Sequence, residues 1–178
     1  MYYSSRGFTL LELIMSLAVT AGLLTVSLPI YGAWLDKQEN RSAARAIAGA
    51  LREARAAAVV HHREYRVKFV SQQPASGQNP SFIIQRGNLS RNSSEWEDLA
   101  AGYPLPEGLF LRYTQSCAED DSPRYLSFNP DGSSNSLYLC LGRSKGAEDE
   151  RTFAVGVSHS STGRVTILRW NAACSCFQ

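Results

Sequence analysis

Two patterns divide the chain. Residues 8–35 form a nearly unbroken apolar run with one charged side chain, Glu12. As an α-helix the run would extend about 42 Å, against roughly 30 Å for the hydrocarbon core of a bilayer. It exceeds the apolar core of about 7 to 15 residues expected of a cleaved secretory signal. Over residues 36–63 apolar positions recur with a helical period: Ala44, Ile47, Ala48, Leu51, Ala54 and Ala58 share one stripe, and Arg41, Arg45, Arg52 and Arg55 fall mostly outside it. The helix therefore continues as an amphipathic one. Its alanine-rich stripe suits close packing against a sheet, and its arginines read as a solvated face, with a contact surface to neighbouring subunits as the alternative. Beyond Arg63 the period shortens to two. Strands are predicted at 65–70, 82–85, 109–113, 124–128, 137–141, 153–157 and 164–170. Gly/Pro/Ser/Asn/Asp clusters at 71–80, 87–94, 104–108 and 129–135 separate them, so the connections are mostly antiparallel. The expected class is α+β: a long N-terminal helix packed on an antiparallel headpiece of about seven strands, residues 64–178.

Composition narrows the chemistry. The chain has 178 residues, 18 basic and 16 acidic, and a net charge of +2, too small to make nucleic acid the dominant partner. The mean hydropathy of -0.22 conceals the apolar N-terminal run. Four cysteines without a CxxC pair suit an exported protein with one or two disulfides better than a metal site. His61 and His62 close the amphipathic helix beside Arg63, where cations offset the negative end of the helix dipole; no carboxylate or cysteine stands at ligand spacing, so no metal or cofactor is expected. Asp131, Ser133 and Asn135 lack the later Gly and Glu of a calcium loop, and Asp131-Gly132 reads as a turn. No GxSxG, phosphate-binding loop or Cys/His pair of evident register is present, and Glu119-Asp120-Asp121 reads as a solvated loop, so an enzyme is not expected.

Glu12 is the anomaly of the apolar run, because a carboxylate at mid-bilayer costs on the order of 2.5 to 3.5 kcal/mol unless paired or protonated. Its surroundings, Arg6-Gly7-Phe8-Thr9-Leu10-Leu11-Glu12-Leu13, resemble the processing site of type IV prepilins and type II secretion pseudopilins. The resemblance implies cleavage by a prepilin peptidase between Gly7 and Phe8 and N-methylation of Phe8. Residues 1–7 would be the leader, 8–35 the membrane and filament-core helix, and 36–63 the amphipathic continuation. It also implies that Glu12 neutralises the N-terminal amine of a neighbouring subunit, and that Pro29 matches the proline that kinks many pilin helices, with a bend or local melting near it.

Tyr125-Leu126-Ser127-Phe128-Asn129-Pro130-Asp131-Gly132-Ser133, followed by Ser161-Thr162-Gly163-Arg164-Val165, resembles the C-terminal region of the GspH/FimT family. The implied function is that of a minor pilin that helps initiate or cap a type IV pilus. The alternatives are minor pseudopilin H of a type II secretion system and a DNA-binding receptor for transformation. Implied partners are other minor subunits, the major pilin, prepilin peptidase and the bacterial inner membrane, with the N-terminus cytoplasmic and the headpiece periplasmic. DNA-binding relatives carry a C-terminal Gly-Arg-x-Arg motif; here Gly163-Arg164-Val165-Thr166 lacks the second Arg, leaving Arg164 and Arg169 as the candidate DNA contacts, with Arg143, Lys145 and Arg151 ahead of them. For the cysteines, Cys117 with Cys140 is the first choice because their strands are sequential, which leaves Cys174 with Cys176 in a small ring; Cys140 with Cys176 would instead tie down the tail.

Overall fold

The computed structural model describes residues 9–70, 80–112, 125–145, 148–171, 173–174 and 176–178, and their side chains except at 26–30, 33, 112 and 144–151. One helix, α1 (Leu10–His61), is followed by ten strands: β1 (Tyr65–Val70), β2 (Ser81–Gly87), β3 (Trp96–Asp98), β4 (Tyr103–Pro104), β5 (Leu109–Arg112), β6 (Tyr125–Phe128), β7 (Tyr138–Lys145), β8 (Glu148–Val157), β9 (Val165–Asn171) and β10 (Cys176–Phe177). All seven expected strands are present within a few residues of their expected bounds. β3, β4 and β10 are additional. The chain divides into a unit of residues 1–38 and a compact unit of residues 39–178.

In the first unit, Thr9 starts α1 as an N-cap. Its hydroxyl accepts the Glu12 backbone N–H at 3.3 Å, which satisfies one of the donors that a helix start leaves open. Thr9 and Glu12 are thus spaced as a capping box, with the acid in the first turn, where the helix dipole favours it. The helix runs through Pro29 without interruption, so the local melting expected there does not occur. Ser16, Thr20 and Thr25 return their hydroxyls to the carbonyls of Leu13, Ser16 and Gly22, the way polar side chains are satisfied on an apolar helix. Leu10, Leu11, Met15, Leu17, Val19 and Leu23 are each more than 60% exposed. Among the described residues no helix is long and apolar enough to cross a membrane; residues 26–30, whose side chains are not described, lie inside the apolar run.

In the second unit, the single sheet expected from the sequence is two antiparallel sheets. One has the order β3-β2-β1-β6, with β4 also paired to β2, and the other is β10-β9-β8-β7-β5. Alternation sends Tyr65, Val67 and Phe69 of β1 inward and leaves Lys68 exposed. The inner faces of both sheets meet the helix stripe in one core: Ala43, Ala44, Ile47, Ala48, Leu51, Ala54 and Ala58 pack with residues such as Val67, Phe128, Leu141 and Val155. Alanines let the backbones approach closely. Ile47 and Leu51, fully buried, each contribute about 1.5 to 3 kcal/mol.

The opposite face of the second sheet carries a smaller cluster, Cys140 and Ala154 with Tyr138, Leu168 and Phe177. β10 exists to cover it. Phe177 meets Trp170 edge-on at 4.9 Å, and backbone bonds join Arg169 and Gln178 in both directions. Cys174 is bonded to Cys176, which sets aside the tail-to-body pairing of Cys140 with Cys176. Cys140 is itself disulfide-bonded, and Cys117 lies outside the described residues. On the first sheet, the Arg66 guanidinium sits 3.9 Å over the Trp96 ring and 5.0 Å from that of Tyr125, while its Nε donates to Gln85 and Gln85 donates to Asp98. That chain of contacts holds β3 against β2.

Candidate functional site

Two turns near the end of α1 organise the most distinctive surface of the headpiece. In the first, Asp131 accepts the Ser133 backbone N–H at 3.0 Å and the Ser133 hydroxyl at 2.6 Å and pairs with Arg91, while Gly132 takes φ +80°. Those two Ser133 donors, then the charge of Arg91, hold the Asp131 carboxyl below its ordinary range. In the second turn, the Thr162 and Gly163 N–H groups donate to the His159 carbonyl, and the Ser134 N–H donates to the Ser160 carbonyl, linking the two turns. Gly163 has φ +56°, and a Cβ there would stand 2.1 Å from the Gly132 carbonyl oxygen and 3.2 Å from Arg55 Nε. The two turns therefore pack backbone to backbone with the Arg55 side chain against them, a geometry open to glycine alone.

This junction directs Arg164 into a groove of about 510 Å³ whose other lining residues are Arg52, Arg55, Ala56, Val59, Val60 and Val165. Arg52 and Arg55 project from one helix face because they are three residues apart, and Val59 and Val60 follow in the next turn. Arg169 is not in the groove: it lies further along β9, about 17 Å away at the rise of an extended strand. Arg143 is engaged elsewhere, with Glu39 at 3.3 Å and the Glu107 carbonyl at 3.2 Å. The side chains of Lys145 and Arg151 lie outside the description. From the sequence alone Arg52 and Arg55 read as part of a solvated face or of a contact surface to neighbouring subunits. Their shared side of the helix was visible in the spacing, but the arrival of Arg164 beside them depends on how the two turns dock.

Of the assembly residues, Glu12 is exposed in the first turn of α1, Pro29 lies within the helix, and Gly7 and Phe8 are outside the described residues. His61 stacks on Tyr65 at 6.0 Å and His62 takes φ 51°, the left-handed conformation that ends many helices. Among the described residues there is no group of three or more His, Cys, Asp or Glu arranged to hold a metal ion.

A helix whose C-terminal part fills the core of an antiparallel headpiece, and whose N-terminal part is apolar and uncovered, defines a pilin-like α+β subunit. Residues 43–163 match the family model described as Type II transport protein GspH, and the chain belongs to this family. Among solved structures, the minor pseudopilin EpsH from the type 2 secretion system of Vibrio cholerae shares the fold at TM-score 0.52 and 15% identity, over 74% of this chain and 97% of that one. The type IV minor pilin FimU of Pseudomonas aeruginosa aligns at TM-score 0.41 and 17% identity, over 71% of this chain and 90% of that one. No curated protein sequence matches the chain significantly.

Proposed function

We infer that the chain is a minor structural subunit of a pilus-like filament, made as a precursor, cleaved between Gly7 and Phe8, methylated at Phe8, and held in the bacterial inner membrane until assembly. The observation that carries this is the uncovered apolar helix surface of residues 10–24, which requires lipid or neighbouring helices. An apolar helix bundle gives Glu12 a cationic partner in the N-terminal amine of the adjacent subunit, and pairing two otherwise costly ions fixes axial register. Its work is assembly rather than catalysis, with other minor subunits, the major subunit and prepilin peptidase as partners. A type IV pilus and a type II secretion pseudopilus both use such a subunit. As a minor pilin it would initiate or cap the pilus; as the H pseudopilin it would serve secretion, and the family match is compatible with both. Cys117 is the proposed partner of Cys140, checked by non-reducing peptide mapping.

The test is the mature N-terminus of protein recovered from its native membrane and filament fractions. N-methylated Phe8 is expected, with Gly7→Ala blocking processing and Glu12→Ala lowering incorporation into filaments. A start other than Phe8, or unaltered processing in Gly7→Ala, overturns the reading.

A further inference from the structure

We propose that the groove between the end of α1 and the start of β9 is a docking site for an acidic, partly apolar segment of another protein, with Arg52, Arg55 and Arg164 receiving its carboxylates. The proposal rests on the filament-subunit reading only in taking that protein to be a neighbouring subunit. Among the described residues, none of the three guanidinium groups has a hydrogen-bond or ion-pair partner. The acid in the adjoining turn, Asp131, is already engaged by Arg91 and Ser133. Three like charges facing one concavity repel one another until an anion enters, and guanidinium groups match carboxylate geometry in pairs.

The remaining lining selects the kind of anion. Val59 is 43% and Val60 69% exposed, and with Ala56 and Val165 they give the groove apolar walls between its cations. Phosphate chains offer nothing to aliphatic walls, whereas a peptide carrying Asp or Glu beside Leu or Phe satisfies both surfaces at once. The site is also preset: Gly163 against Gly132 fixes where Arg164 leaves the turn, so little ordering is required of the protein when the segment binds.

The experiment uses the full-length chain in neutral dodecyl maltoside micelles and fluorescence anisotropy of a labelled peptide that alternates Asp or Glu with Leu. A control peptide carries Asn and Gln in place of the acids. The acidic peptide should bind and lose at least about fivefold in affinity between about 50 and 300 mM salt, while the neutral one should not bind. Arg52→Ala and Arg164→Ala should each weaken binding about fivefold and Val60→Ser about threefold, with Arg169→Ala unchanged. Thermal melts of the variants establish that they remain folded. Absence of binding, or binding unaffected by Arg52→Ala and Arg164→Ala, overturns the proposal. So does tighter binding of duplex DNA at the same ionic strength. None of these results alters the mature N-terminus, so failure here and failure of the filament reading are separable.

Discussion

At the scale of single residues, glycines show how local space decides sign. Gly163 combines positive φ with a neighbouring carbonyl where its Cβ would go, so Gly163→Ala should destabilise the headpiece by more than about 2 kcal/mol in urea unfolding. Gly49 lies in the middle of α1 with nothing within 4 Å of an added Cβ, and Gly49→Ala should stabilise by about 0.5 to 1 kcal/mol in the same measurement. Asp131 supplies a pH test. Its carboxyl is held below the ordinary value of 3.8, so the anion's contribution is present above that value and is lost as pH falls through the lower folded-state value. Asp131→Asn keeps a turn-forming acceptor without the charge. The variant should be less stable than the parent at neutral pH, and the difference in urea midpoint should shrink as the pH falls below the ordinary carboxylate range.

Among the elements, the amphipathic half of α1 was legible because its stripe repeats every three to four residues, and every stripe residue named from the sequence is buried. The stripe tolerates little added volume: Ala48→Leu, at a position with no exposed surface between the helix and the sheets, should cost about 1 to 3 kcal/mol and lower the melting temperature. The long strands were legible by alternation. β3, β4 and β10 were not, because strands of two or three residues hold too few positions for a period and owe their existence to contacts made elsewhere. For β3 these are the stacking of Trp96 on Arg66 and the Gln85–Asp98 bond. For β10 they are the packing of Phe177 over Leu168 and Trp170.

For the whole molecule, the contrast between the two units predicts solution behaviour. Residues 39–178 enclose their own core, whereas large apolar side chains line the exposed helix before them. A chain beginning at Asp36 should remain monomeric without detergent and melt cooperatively, while the full chain should elute with micelles; size-exclusion chromatography with light scattering distinguishes the two. An aggregated truncated chain would mean that the first unit is needed to complete the headpiece. The division into two sheets belongs to this scale as well. The seven expected strands and their antiparallel links are compatible with one sheet, and the pairing of β1 with β6 across the intervening β2 to β5 is what separates them.

By itself the sequence determined the long helix with an uncovered apolar beginning, the unusual acid at Glu12, the alanine face and the alternating strands. Each of these is a periodic or local property, set by neighbours a few positions away along the chain. Tertiary structure decided which strands share a sheet, why the tail folds back over Cys140 and Ala154, and which arginines line one groove. Arg164 joins Arg52 and Arg55, rather than Arg169, because Gly163 and Gly132 bring two turns into backbone contact beside the helix, a juxtaposition that no spacing along the chain encodes.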